Sequence, residues 1–212
     1  MSRAQFITLE GSEGVGKTTN LEYIKQLLGN KSIEYIVTRE PGGTELGEQL
    51  RDLLLGHKHT GMADETELLM MFAARSEHLD KVIKPALEKG QWVLSDRFTD
   101  ATYAYQGGGR GIEMQRIKIL EDYVQGDCRP DLTLLLDAPV EVGSERAGKR
   151  SAPDRFEKEQ SDFFNKVRSA YLQRASDQPD RIKVIDASLE LEAVKRQIDQ
   201  IMQDYFKQLG IQ

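Results

Sequence analysis

Short apolar runs alternate along the chain with longer stretches in which apolar residues return every third or fourth position. Gln5 to Glu10 is short, apolar and rich in strand formers, and it stops at glycine; from Lys17 onward Leu21, Ile24 and Leu28 recur at helical spacing. The pattern predicts strand, loop and helix in that order. Ile33 to Thr38 reads as a second strand, closed by the turn Pro41-Gly42-Gly43. From Asp64 to Glu88 the residues Leu68, Phe72, Leu79, Val82, Ile83 and Leu87 form one stripe, which predicts a long, largely buried helix with an adjustment where Pro85 interrupts.

Gln91 to Ser95 and Leu132 to Leu136 are almost continuously apolar, as strands of a parallel sheet covered on both faces must be. A fifth run, Ile182 to Ile185, resembles them, and these three runs are followed by Asp96, Asp137 and Asp186. Helical spacing returns at Glu113 to Tyr123, Val140 to Ala147, Glu159 to Arg174 and Leu189 to Leu209. Strands alternating with helices predict an α/β fold: a doubly wound parallel sheet of five strands with helices on both faces. In such sheets ligands gather at the carboxyl ends of the strands.

Composition narrows the reading. At 212 residues, with no internal repeat, low-complexity tract or Pro/Ser-rich linker, one domain over residues 1–212 is expected. With 29 basic against 35 acidic residues the net charge is -6, which argues against a nonspecific nucleic-acid coat, since that binding needs an excess of Lys and Arg. No run of about 18 apolar residues and no leader-like N-terminus is present, so export and membrane insertion are disfavoured. Cys128 is the sole cysteine, which excludes an intrachain disulfide and fits a reducing cytoplasm.

The chemistry is concentrated in Gly11-Ser12-Glu13-Gly14-Val15-Gly16-Lys17-Thr18, a full match to G-x-x-x-x-G-K-[ST] between a predicted strand and a predicted helix. Glycines there let successive backbone N–H groups curl around phosphate oxygens, with the positive end of the helix aimed at the same point. Lys17 would reach the β and γ phosphates of a nucleotide, and the Thr18 hydroxyl would meet Mg²⁺. No guanine-reading N-K-x-D string accompanies the loop: Asn30-Lys31-Ser32-Ile33 lacks the aspartate. Arg39 and Arg97 instead stand just past predicted strand ends, with Arg51 and Arg75 on neighbouring helices. A second basic cluster, Arg146, Lys149, Arg150 and Arg155, lies in a segment containing Gly148, Ser151 and Pro153. It reads either as a solvated loop or as a lid, at about 143–156, that closes cations over a phosphoryl group in transfer.

Several strings together resemble the thymidylate kinase family: F-I-T-L-E-G-S-E-G-V-G-K-T-T from Phe6, T-R-E-P-G-G-T from Thr38, F-A-A-R from Phe72, S-D-R-F-T-D-A-T-Y-A-Y-Q-G from Ser95, R-P-D-L-T-L-L-L-D from Arg129 and D-R-F-E from Asp154. The resemblance spans nearly the whole chain. It implies a P-loop fold like that of nucleoside monophosphate kinases, Mg²⁺-dependent transfer from ATP to dTMP giving ADP and dTDP, and a homodimer. It places ATP on Gly11 through Thr19, with Mg²⁺ at Thr18 and, through water, at Asp96. Arg97 would bridge the two phosphates, and Arg39 and Arg51 would hold that of dTMP. Arg75 and Gln106 would meet the thymine edge, Thr102 the ring, and Tyr105 the deoxyribose. Glu13 would approach the acceptor sugar. For stacking on the base the aromatic Phe72 is favoured, with Met71 the rival; Ala101 stands where the family often has serine. Without an arginine in the phosphate loop, the chain resembles the bacterial type with basic lid residues, Arg146 and Arg150 being the candidates. A kinase for another nucleotide such as dUMP, or a slowly hydrolysing phosphate-loop switch, are the competing readings.

Overall fold

The computed structural model describes residues 3–59, 61–147, 155–156 and 159–211. Five parallel strands form one sheet: β1 (Phe6–Glu10), β2 (Tyr35–Arg39), β3 (Trp92–Asp96), β4 (Leu132–Asp137) and β5 (Ile182–Asp186), in the order β2-β3-β1-β4-β5. β1 lies at the centre, with Leu9 opposite Asp96 on one side and Glu10 opposite Leu135 on the other. All five of its residues are buried, which is why its apolar run is nearly unbroken.

The helices cover the two faces by the alternation of strand side chains. Ile7, Leu9, Leu94 and Leu134 face α1 (Lys17–Asn30) and α9 (Leu191–Gln208), meeting Ile24, Leu28, Val194, Ile198 and Phe206. On the opposite face Leu135 packs against α8 (Ser161–Asp177), and Phe6 and Val93 against the helical run beginning at Asp64. That run is α3 (Asp64–His78), a π-helical turn at Leu79–Ile83 and α4 (Lys84–Glu88). The adjustment expected at Pro85 is thus a wide turn immediately before it, where the ring would otherwise press on the carbonyl one turn back.

α6 (Met114–Gln125) and α7 (Val140–Ala147) complete the predicted set. Sequence periodicity gave no bounds to α2 (Glu45–Leu55), which starts at a Thr44 cap whose hydroxyl accepts from the Gly47 N–H at 2.9 Å. Nor did it mark α5 (Thr99–Thr102) and its π-helical continuation Tyr103–Gly109. A Gly-Gly-Gly stretch there looks like a turn in one dimension. In three it is a contact face: a Cβ on Gly108 would stand 2.6 Å from the Ala170 Cβ, and one on Gly109 2.4 Å from the Phe163 ring, so glycine lets α8 approach.

A buried polar layer runs beneath the sheet's site end. Asp100 accepts from Arg174 (Nη2, 2.8 Å) and Arg181 (Nη1, 2.7 Å), and the Thr8 and Thr133 hydroxyls share a bond of 2.7 Å. Burial opposes the Asp100 charge, but Arg181 and then Arg174 outweigh it and lower its pKa. Among the described residues no helix is long and apolar enough to cross a membrane.

Candidate active site

The loop between β1 and α1 sits where the strand ends converge. Gly14 and Gly16 take left-handed backbone angles, φ 72° and 88°. At Gly14 this is doubly required: a Cβ would lie 1.9 Å from the backbone oxygen of Gly143 in α7, so loop and helix touch backbone to backbone. Lys17 turns back over the loop, donating to Ser12 O at 2.8 Å and Gly11 O at 3.1 Å. Burial, and next the Arg97 charge, lower its pKa, with Glu13 and Asp96 opposing.

Beside the loop opens a cavity of about 240 Å³. Its wall includes Glu13, Gly14, Gly16, Lys17 and Thr18 from the loop, Asp96 and Arg97 from the end of β3, Arg51 from α2, Met71 and Arg75 from α3, and Thr102, Tyr105 and Gln106 from the α5 segment. Arg97 reaches it from a left-handed backbone, φ 68°, an unusual conformation for a non-glycine residue. Ser95 Oγ holds that turn by donating to the Arg97 carbonyl at 2.7 Å. The guanidinium pairs with Glu13, donates to the Tyr105 hydroxyl at 2.9 Å and lies 5.0 Å from the centre of that ring. The hydroxyl in turn donates to Glu13 at 3.1 Å.

This knot fixes charges. Burial opposes ionisation of Glu13, but Arg97 and then Lys17 overcome it and hold the carboxyl well below the usual range. Burial likewise opposes the Arg97 charge, and Glu13 outweighs it. The Tyr105 hydroxyl is kept protonated, foremost by burial. Two buried atoms in the knot have no partner among the described residues: Arg97 Nε and Asp96 Oδ1. A donor and an acceptor left open at the same phosphate-loop cavity suit an anion and its counter-cation.

Arg75 is fixed from behind. Its Nε donates to Glu40 at 2.7 Å and its Nη2 to Thr102 Oγ1 at 2.9 Å, while its carbon lies 4.8 Å from the Phe72 ring centre. Glu40 also bonds His78 Nδ1 at 3.0 Å, and His78 Nε2 meets Thr38 at 2.6 Å. Arg75 Nη1, buried, has no partner among the described residues.

A second cavity of about 300 Å³ lies on the loop's other side, lined by Val15, Thr19, Arg146, Ala187 and Leu191 among others. Arg146 donates there to Ala187 O at 2.7 Å and Ser188 O at 3.3 Å.

The structure therefore brings Glu13, Lys17, Thr18, Arg51, Arg75, Asp96, Arg97, Thr102, Tyr105 and Gln106 to one cavity. It does not bring Arg39, Phe72 or Arg146 there. Arg39 is half exposed and turned to Glu48 of α2 at 2.7 Å. Phe72 is buried with Leu68, Tyr103 and Ile117, behind the wall that Met71 faces, because one residue along a helix turns a side chain by about 100°. Arg146 serves the second cavity instead. Lys149 and Arg150 lie outside the described residues.

Glu40 and Glu67 were missed. The signal for both was present: Glu67, Arg75 and His78 repeat at helical spacing as a polar stripe beside the apolar one, and Glu40 directly precedes Pro41 in T-R-E-P.

A family model described as thymidylate kinase matches residues 9–198. The thymidylate kinase of Pseudomonas entomophila (strain L48) is 58% identical over 197 residues, 93% of this chain and 94% of that protein. That of Nitrosomonas europaea is 54% identical over 210 residues, 99% of this chain and 97% of that one. The crystal structure of thymidylate kinase from Ehrlichia chaffeensis superposes with a TM-score of 0.73 at 35% identity, covering 94% of this chain and 98% of that one. A phosphate loop facing an arginine-rich cavity, on a sheet shared with that structure and in a sequence matched nearly end to end, places the chain in the thymidylate kinase family, whose members phosphorylate dTMP to dTDP at the expense of ATP.

Proposed function

We propose that this dTMP kinase holds its acceptor in the cavity lined by Arg75 and Arg97 and the adenine of ATP in the cavity lined by Arg146, with the phosphate loop between them as the transfer point. The observation that carries this reading is the loop's position, with Lys17 and Thr18 on one wall and Val15 and Thr19 on the other. Backbone N–H groups of Gly11 through Thr19 cradle the phosphates, and Lys17 exchanges its carbonyl partners for β and γ oxygens.

A dTMP phosphate oxygen attacks the γ phosphorus in line, the bond to the β-phosphate oxygen breaks, and ADP leaves. At neutral pH the attacking oxygen is already anionic, because the second pKa of a phosphate monoester is about 6. A general base is therefore unnecessary. Glu13 has a different use, holding Arg97 at the point where donor and acceptor phosphates meet. Arg97 and Arg51 hold the acceptor phosphate, and the fork geometry of Arg97 suits charge shared among oxygens.

The residues fit Mg²⁺: the Thr18 hydroxyl would ligate it directly and Asp96, with its unpartnered oxygen, through water. When bound it neutralises charge on the β and γ phosphates. In the acceptor cavity the base lies against Met71, with Arg75, Thr102 and Gln106 at its edge and Tyr105 under the sugar. Arg146 belongs to the adenine cleft, and Arg150 is the lid cation assigned to the transition state. Arg39 is assigned to Glu48 and the turn before α2 rather than to the phosphate.

Exposed apolar side chains on α2, α3 and α6 (Leu53, Leu69, Ile119 and Tyr123 among them) offer a face to a second copy, and a homodimer should sediment at twice the chain mass. The cytoplasm is its proposed compartment. A crystal structure with dTMP and a non-hydrolysable ATP analogue tests the substrate assignments. Thymine against Met71 and within hydrogen-bond reach of Arg75 supports them; thymine elsewhere overturns them.

A further inference from the structure

Glu67 is a fully buried acid on α3, and nothing in the reaction calls for its charge. Two guanidiniums balance it. Arg155 donates from Nη2 at 2.5 Å while its Nε is fixed on Leu54 O at 2.7 Å; Arg110 donates from Nε at 3.3 Å while its Nη1 is fixed on Glu159 at 2.6 Å. The third donor to Glu67 is Gln106 Nε2 at 2.8 Å, and Gln106 lines the acceptor cavity.

That bond settles which end of the Gln106 amide is which. A carboxylate flanked by guanidiniums offers acceptors only, so Nε2 must face it and Oε1 is the atom that remains for the cavity. On the same wall Arg75 has spent Nε and Nη2 on Glu40 and Thr102, and its Nη1 is the donor left without a partner among the described residues. The wall thus offers one acceptor and one donor, both fixed by buried carboxylates.

We infer that Glu67 is a positioning residue for base selection: by fixing the Gln106 amide with Oε1 toward the cavity, it sets the site to read a pyrimidine edge carrying a ring N–H beside a carbonyl, and to reject one carrying a ring nitrogen lone pair beside an amino group. This rests on the placement of the base proposed above. Thymine presents the first edge and cytosine the second. Cytosine would set its lone pair against Oε1 and its amino group against a guanidinium, and both mismatches leave buried polar groups unsatisfied. Were the amide free to turn, it could present Nε2 instead, and the distinction would weaken.

The test is Glu67→Gln in a coupled ADP-release assay with dTMP and dCMP. The new amide can offer its own NH2 to Gln106, so the fixed sense is lost. The expected result is a fall of roughly ten- to hundredfold in kcat/KM for dTMP, mostly through KM, with no matching fall for dCMP, so that the preference narrows. Equal losses on both nucleotides, with the preference intact, would mean that Glu67 only supports the fold, and would overturn the inference. Gln106→Ala separates the premises. If it too leaves the preference unchanged, the base does not meet Gln106 and the placement fails first. If it abolishes the preference while Glu67→Gln does not, the placement stands and the positioning role fails.

A measurement on the unaltered enzyme decides the matter even if Glu67→Gln does not fold. The side-chain NH2 of Gln106, assigned in NMR spectra by its loss in Gln106→Ala, should exchange slowly with solvent before and after dTMP is added. Rapid exchange in the free enzyme would contradict a bond to Glu67.

Discussion

Glu10→Gln should change how stability depends on pH. Glu10 ends β1 with no exposure, its Oε2 accepting from the Tyr171 hydroxyl at 2.8 Å and its Oε1 from the Phe98 N–H at 2.7 Å. Burial, and then the nearby Asp100 charge, push its carboxyl up to about 8 from an ordinary value of 4.5. A carboxyl whose folded value lies above its unfolded one contributes fully below the unfolded value, and that contribution is lost as pH rises through the folded one. The window therefore runs from about pH 4.5 to about pH 8. At about 1.4 kcal/mol per unit, the whole window is worth at most roughly 5 kcal/mol. Glutamine keeps the shape and a carbonyl for Phe98 but cannot titrate. Urea unfolding of both proteins between pH 5 and 8.5 isolates the effect, because all other groups titrate in both. The stability of Glu10→Gln relative to the parent should climb steadily with pH and level off above about 8. A difference independent of pH would refute the reasoning.

Arg97→Lys should lower kcat by about 10²–10³-fold with dTMP and ATP saturating, since it keeps charge beside Glu13 but loses the fork; unchanged kcat would remove Arg97 from the transition state. Gly14→Ala should raise the KM for ATP and destabilise by roughly 1–3 kcal/mol, read by ATP titration and thermal melting, because its Cβ would collide with the Gly143 carbonyl. Met71→Ala and Phe72→Ala should part company: the first raises the KM for dTMP with little loss of stability. The second costs about 3–5 kcal/mol on unfolding and leaves that KM nearly unchanged in the folded fraction.

What the sequence made legible follows from where periodicity and covalent motif coincide with three-dimensional constraint. Parallel strands covered on both faces leave an apolar run that reads directly, so β3 and β4 differ from expectation only at their ends. The phosphate loop is equally legible because its geometry depends on glycines and a lysine contiguous in sequence. The cavity beside that loop is assembled from β3, α2, α3 and the α5 segment, and rotation about a helix axis decides which neighbour enters it. That is why Phe72, chosen for its aromatic ring, sits in the core and Met71 at the wall. Arg39 stands at a strand end as expected, yet Glu48, nine positions later, captures it. The helix through Tyr103–Gly109 was hidden because its glycines meet α8 across some sixty residues of chain, a contact no local pattern records.

The central claim is that one cavity holds a thymine-bearing monophosphate in line with a nucleotide on the phosphate loop. The direct measurement is ADP release from ATP and Mg²⁺ with dTMP, dUMP, dCMP, dGMP and UMP supplied in parallel. The account predicts strong stimulation by dTMP, with dCMP far behind because its edge cannot satisfy Arg75 and Gln106 together. ADP release that ignores the acceptor, or rises equally with all five, would contradict it and leave the phosphate loop as a nucleotide site without the partner cavity assigned to it.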